Sequence, residues 1–128
     1  MMKNPFLFVF VGSLFLLSCE GGTTFTKEII NNSEDTLKVS IYSLLGSPQE
    51  FRILPGASEI VFWNDRLGSF VDETYNCLEE IDSFKVIVSG NKILEKDLME
   101  ISNWVRSSKD GRNSEENCRF TVSIEDIK

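Results

Sequence analysis

The sequence predicts a mainly β protein, folded as a single antiparallel β-sandwich of about seven strands with one short helix. Three observations predict it. Apolar and polar residues alternate with a period of two along most of the chain after residue 23. Clusters of Gly, Pro, Asn, Asp and Ser interrupt this alternation at near-regular spacing, and only one stretch has helical spacing.

Four strand candidates, each followed by turn-forming residues, occupy the first half of the predicted domain. They are residues 25–30 (turn 31–35), 37–42 (turn 46–48), 51–54 (turn 55–56) and 59–63 (turn 64–65). In the second candidate, Leu37, Val39 and Ile41 alternate with polar residues, which is typical of a strand buried on one face. Pro55-Gly56 has the chemistry of a type II turn, in which the glycine takes a positive φ.

The second half contains the best candidate for a central strand, residues 84–89. Gly90-Asn91 predicts a tight hairpin turn with positive φ angles, after which residues 92–94 run back. Apolar residues recur at three- and four-residue spacing over residues 98–105, which predicts the one helix. Residues 107–117 are polar and predicted to be flexible, and residues 118–125 alternate as the terminal strand.

Aromatic residues divide into predicted core residues and candidate binding residues. The predicted core aromatics are Phe51, Phe62, Trp63, Phe84 and Phe120. Trp104, on the predicted helix, either caps the core or stands exposed as an anchor, since an indole is apolar with one polar edge. Trp63, Tyr75 and Trp104 are the candidates for stacking on a sugar ring. Because Trp63 is assigned to the core, Tyr75 and Trp104 are the candidate binding residues.

The chain has three cysteines, of which Cys77 and Cys118 lie within the predicted domain. A bridge between them would close a loop of about 40 residues, which the chain-entropy argument values at roughly 4 kcal/mol at most. The alternative is two buried free thiols. An even pair in an oxidising compartment favours the disulfide.

The N-terminus predicts a lipoprotein signal. Lys3 precedes an apolar run over residues 6–17, which is too short to span a bilayer, and Ser18-Cys19 closes it. This order resembles the bacterial lipobox, which implies that residues 1–18 are removed and that Cys19 carries lipid. Residues 19–23 are then the lipidated cysteine and a tether, and residues 24–128 are the sandwich domain. The anchor predicts attachment to a membrane.

Several segments together resemble the small outer-membrane lipoproteins of the Bacteroidota, whose domains are immunoglobulin-like or transthyretin-like sandwiches. After the lipobox come I-I-N-N-S-E-D, T-L-K-V-S-I-Y, I-L-P-G-A-S-E-I, D-S-F-K-V-I-V and C-R-F-T-V-S-I-E-D-I. The resemblance implies an immunoglobulin-like sandwich tethered to the bacterial outer membrane and brings no catalytic residues. Asp35-Thr36-Leu37 also matches the acceptor pattern for O-glycosylation in that phylum, which implies Thr36 as a glycan site.

Composition argues against several function classes. The net charge of −7 disfavours nucleic acid as a partner, and the absence of histidine removes the common catalytic relays and the commonest zinc ligand. The densest acidic stretch, over residues 72–82, lacks the spacing of a calcium loop. We therefore expect no enzyme, no cofactor and no metal.

The leading hypothesis is a non-enzymatic, membrane-anchored protein-interaction module of the cell envelope. Its candidate contacts are the loop 65–76 and the polar segment 107–117, with Trp104 nearby. The alternatives are a surface lipoprotein that binds glycans or small ligands, and an envelope immunity or inhibitor protein.

Overall fold

The computed structural model describes residues 21–44, 46–68 and 74–128 and contains two packed β-sheets. The strands are β1 (Gly22–Asn32), β2 (Leu37–Ser43), β3 (Gln49–Ile53), β4 (Ser58–Leu67), β5 (Ile81–Val88), β6 (Val105–Lys109) and β7 (Ser114–Ser123). Single 3-10 turns occur at Ser89–Asn91, Ile101–Asn103 and Ile124–Asp126. The predicted β-sandwich of seven strands is confirmed within the described part of the chain.

The four-stranded sheet has the order β4-β1-β7-β6, and the three-stranded sheet has the order β3-β2-β5. All neighbours are antiparallel except β1 and β7, which pair in parallel over ten residue pairs. A parallel pair needs a long crossover, which the chain between β1 and β7 supplies. The sandwich is therefore not purely antiparallel, and its strand order differs from the A-B-E-D and C-F-G sheets of immunoglobulin constant domains.

Strict alternation along β1 and β7 builds the core. In β1 every second residue is buried, from Thr23 to Asn31, and in β7 the same holds from Ser114 to Val122. The apolar members of these rows meet Leu37, Val39 and Ile41 of β2 in one core cluster. Burial of a side chain of this size stabilises the fold by about 1.5–3 kcal/mol.

Two predicted turns form as their residues indicate. Gly56 has φ 78°, and Ala57 N donates to Leu54 O at 3.0 Å, which is the geometry of a type II turn. Gly90 and Asn91 both have positive φ, 74° and 56°. Residues after this turn bridge back only at Lys92, and Leu94 pairs instead with Ile127.

The predicted helix over residues 98–105 is wrong. Only Ile101–Asn103 forms a single 3-10 turn, and Val105 begins β6. Leu98 and Trp104 are buried, whereas Ile101 and Val105 are exposed, so this apolar spacing does not mark one buried helical face. The Trp104 indole Nε1 donates to the Leu98 carbonyl at 2.8 Å, which holds the two residues together without a helix.

Three further expectations differ from the structure. Residues 64–65, predicted to turn, continue β4, where Asn64 pairs with Phe25 and Asp65 with Thr24 of β1. The predicted central strand, β5, is an edge strand. Residues 107–117, predicted to be flexible, form most of the β6–β7 hairpin.

The start of the sandwich lies slightly earlier than residue 24. β1 begins at Gly22, and Gly68 N donates to the Gly21 carbonyl at 3.2 Å. The predicted signal, Cys19 and the first tether residues lie outside the described residues. Among the described residues, none forms a helix with the length and apolar character needed to cross a bilayer.

Candidate functional site

Both aromatic residues predicted to bind a ligand are core residues instead. Trp104 is 6% exposed and packs between Phe84 and Phe120, with ring centroids at 5.9 and 5.3 Å. Tyr75 is 4% exposed and its ring lies 4.8 Å from that of Phe25. Their polar atoms are satisfied inside the protein, so neither offers a surface for stacking.

A lysine is fully buried between the sheets. Lys27 Nζ donates to Tyr75 Oη at 2.8 Å and lies 4.9 Å from the centre of the Phe62 ring. Burial lowers the pKa of Lys27 from 10.5 to about 8, because a charged ammonium loses its hydration there. The carboxylates of Glu80 and Glu79 oppose this shift.

The segment that carries Tyr75 also carries Glu79 and Glu80, the two carboxylates that act on Lys27. Arg66 of β4 forms an ion pair with Glu80, and its guanidinium lies 4.7 Å from the centre of the Phe25 ring. Glu79 Oε2 is buried and has no hydrogen-bond partner among the described residues. Burial, followed by the nearby carboxylates, raises the pKa of Tyr75, so its phenol stays protonated.

A second buried ionic group lies on the inner face of β6 and β7. The Glu116 carboxylate is fully buried and accepts two hydrogen bonds from Arg106, at 2.7 and 3.0 Å. Ser108 donates a third at 2.7 Å, and Arg106 also donates to the Tyr75 carbonyl at 2.9 Å. Because both oxygens of the Glu116 carboxylate accept hydrogen bonds within the protein, the Arg106–Glu116 ion pair has a structural role.

The predicted disulfide is confirmed. Cys77 and Cys118 are bonded across a separation of 41 residues, with their Cα atoms 5.6 Å apart. Cys118 lies on the inner face of β7, so the bond ties the segment carrying Tyr75 and Glu80 to the centre of the four-stranded sheet. The alternative of two free thiols is excluded.

The exposed tryptophan is Trp63, which the sequence predicted to lie in the core. It is 61% exposed on β4 and is the one aromatic among the large exposed apolar residues of the described segments. In the register of the sheet, Trp63 lies opposite Thr26 of β1. Thr26 in turn lies opposite Asn117 of β7, and Asn117 lies opposite Ser107 of β6. Trp63 therefore begins a polar row that crosses the outer face of the four-stranded sheet.

A groove of about 730 Å³ lies beside the edge strand β5. Its walls are β5 and the segment 91–99 that follows the turn at Gly90. The walls combine apolar residues with polar and charged residues of the segment 91–97, and Ile87, Ile93 and Met99 are exposed along the groove. We call this feature the β5 groove.

Thr36, the predicted glycan site, lies just before β2. Its backbone N–H donates to Ser89 Oγ at 3.1 Å, and the residue is partly exposed. No cluster of three or more potential metal ligands occurs in the described segments. Cys19, and residues 69–73 of the predicted contact loop, lie outside the described residues.

Searches for related proteins returned nothing: no family model, curated protein or solved structure matches this chain.

Sequence reasoning assigned Trp63 to the core and missed Lys27. Strict alternation places Trp63 on the face of Val61, which is buried, but Val61 is the extra residue of a β-bulge opposite Lys27 and Glu28. A bulge shifts every following side chain to the other face of the sheet. The signal for Lys27 was its place on the alternating inner face of β1, between Phe25 and Ile29.

Proposed function

We propose that this chain is a non-enzymatic lipoprotein of the bacterial envelope, and that it binds an extended apolar segment of a partner protein in the β5 groove. The observation that carries the proposal is an unpaired strand edge beside a groove with exposed apolar side chains. The N-terminal lipobox supports the envelope location, since a lipidated Cys19 would hold the domain at a membrane.

The edge of β5 offers hydrogen-bonding groups to a partner. β5 is bonded to β2 on one side, and its other side carries only an isolated bridge at Val88 with Lys92 within the described residues. An unpaired edge presents a row of N–H and C=O groups that can pair with another strand. An extended peptide that adds to such an edge gains main-chain hydrogen bonds without needing a particular sequence.

The side chains along the β5 groove define the chemistry of the occupant. Phe84, Val86 and Leu94 are partly buried in its walls, and Ile87 and Ile93 are exposed at its lips. Burial of this surface against apolar side chains contributes about 25 cal/mol per Å². A segment with alternating apolar residues would place every second side chain into the groove.

Site-specific photocrosslinking tests the proposal. A photoreactive amino acid at Ile93, which is 68% exposed on the groove, is placed in the full-length lipidated protein and irradiated in native membranes. We expect one discrete crosslinked partner, mapped by mass spectrometry to an apolar extended segment. The same amino acid at Leu67, at the end of β4, should not give that product.

A substitution inside the groove separates docking from chance proximity. Ile87→Asp should remove the crosslink from position 93, because it places a carboxylate on the apolar wall. Leu54→Asp is the matched control, since Leu54 is 50% exposed and Ile87 is 51% exposed. Retention of the product in Ile87→Asp, or equal products from positions 93 and 67, would contradict the proposal.

A further inference from the structure

The geometry points to a binding site for a neutral oligosaccharide that runs across the outer face of the four-stranded sheet, starting at Trp63 on the edge strand β4. This inference does not rest on the β5 groove, because β4 and β5 are edge strands of different sheets. The site consists of Trp63, Thr26, Asn117 and Ser107, which face one another across four strands. We call these residues the outer row.

Trp63 supplies a stacking platform. Its exposed indole stands on strand β4 rather than in a loop, and its register partner, Thr26, is polar. A sugar ring has one face of C–H groups and an edge of hydroxyls, so it can stack on an indole while the edge forms hydrogen bonds. An apolar protein segment would instead leave the hydroxyl and amide groups of the outer row unpaired, which is unfavourable.

The polar partners beside the indole are fixed in position before any ligand binds. Thr26 Oγ1 donates to Asn117 Oδ1 at 2.6 Å, which leaves the Asn117 amide nitrogen with its two N–H donors. On the other side, Thr24 Oγ1 donates to Asp65 Oδ1 at 2.8 Å, and the second carboxylate oxygen remains an acceptor. Side chains held in this way lose little entropy when they bind.

A shallow depression continues the site across the sheet. It has a volume of about 170 Å³ and shares Thr26 and Asn117 with the outer row. That volume corresponds to about five or six water molecules, which is the scale of one sugar ring. Four strands spaced about 4.8 Å apart give the outer row a length of about 14 Å, so the site suits an oligosaccharide rather than a single sugar.

The charges on this face select a neutral ligand. The outer row carries no charged side chain, and the neighbouring row is neutralised by the Glu28–Arg119 ion pair at 3.4 Å. On the other side, Asp65 would repel an acidic sugar, and so would the net charge of −7. A neutral oligosaccharide meets neither repulsion.

Titration with defined oligosaccharides tests the inference. The full-length lipidated protein, in a zwitterionic detergent free of sugar groups, is titrated with cellohexaose, xylohexaose, mannohexaose, laminarihexaose and chitohexaose. Tryptophan emission and calorimetry report binding. We expect at least one neutral hexamer to bind, Trp63→Ala to weaken that binding at least tenfold, and Asn117→Ala to weaken it severalfold.

The matched control is Leu67→Ala, which changes a residue that is 89% exposed on the same strand but outside the outer row. It should leave affinity unchanged, and thermal unfolding should show that all three variants stay folded. Absence of binding by every hexamer would overturn the inference, as would unchanged affinity in Trp63→Ala. Equal binding of a galacturonic acid hexamer would overturn its neutral specificity. Failure of the crosslinking at position 93 leaves these outcomes unaffected.

Discussion

Lys27 Nζ lies 2.8 Å from Tyr75 Oη in the interior of the sandwich, with no carboxylate within hydrogen-bonding distance of the ammonium among the described residues. The ring centres of Phe62 and Tyr75 lie 4.9 and 5.2 Å from Nζ, and their aromatic faces partly replace the water that would otherwise surround the charge. Glu79 and Glu80 act on it only through space. The folded state therefore contains a charge that it stabilises less well than water does.

We expect the free energy of unfolding to rise between pH 8 and pH 10. Lys27 has a pKa of about 8 when folded and 10.5 when unfolded, so the unfolded chain binds more protons in this window. Below pH 8 both states are charged, and the folded state is destabilised by about 3 kcal/mol relative to high pH. Above pH 10 stability should fall, because the raised pKa of Tyr75 lets the unfolded chain lose its phenol proton first. Urea unfolding across this pH range measures both slopes.

Lys27→Met should flatten the rise between pH 8 and pH 10 and stabilise the protein at pH 7 by about 1–3 kcal/mol. The apolar side chain fills a similar volume without the cost of burying a charge. Lys38→Met, at an exposed position of β2, is the control and should leave the slope unchanged. An undiminished slope in Lys27→Met would show that another group titrates.

Arg106→Met should destabilise the protein by about 3–5 kcal/mol, because it leaves the fully buried Glu116 carboxylate without its cation. The double variant Arg106→Met with Glu116→Leu should recover much of that loss. Arg119→Met removes the exposed ion pair with Glu28 and should change stability by less than about 1 kcal/mol. Urea unfolding of the wild type, Arg106→Met, Glu116→Leu and the double variant gives the coupling energy. Similar losses of stability in Arg106→Met and Arg119→Met would contradict the assignment.

Replacement of Cys77 and Cys118 by alanine should lower the free energy of unfolding by up to roughly 4 kcal/mol. The disulfide closes a 41-residue separation and holds the segment with Tyr75 and Glu80 against β7. Mass mapping of the unreduced chain should find both cysteines in one linked peptide pair. Alkylation of either cysteine before reduction would contradict the bond.

Substitution of the two tryptophans should change stability to very different extents. Trp104→Ala should cost about 3–5 kcal/mol, because it opens a cavity beside Phe84 and Phe120. Trp63→Ala should change stability by no more than about 0.5 kcal/mol, because its indole faces solvent. Acrylamide should quench the emission of Trp104→Phe, which retains Trp63, more strongly than that of Trp63→Phe.

Cys19→Ser should abolish lipid attachment and leave residues 1–18 attached. Both effects follow if Cys19 is the lipid attachment point, since the predicted processing acts before a lipidated cysteine. Metabolic labelling with a tagged fatty acid measures the first effect, and intact mass measures the second. Ser18→Ala, which keeps a small residue before the cysteine, should be processed normally, and fatty-acid labelling of Cys19→Ser would refute the anchor.

Local chemistry accounts for the features that the sequence predicted well. Pro55-Gly56 and Gly90-Asn91 form turns because their backbone preferences act over a few residues, whatever surrounds them. The even pair Cys77 and Cys118 formed the predicted bond. The wrong prediction of a helix over residues 98–105 shows the limit of such reasoning. Apolar spacing does not specify which of these residues pack against the core.

By itself, the sequence determined the β class, the strand-forming segments, two turns and the cysteine pair, because alternation and turn chemistry are local properties. Tertiary structure decided which strands became edges, that β1 and β7 run in parallel, and that Trp63 faces solvent while Trp104 and Tyr75 are buried. Those outcomes depend on one bulge at Val61 and on pairings between residues far apart in the chain. These long-range interactions form only when the chain folds and the two sheets pack together, so no local stretch of sequence specifies them.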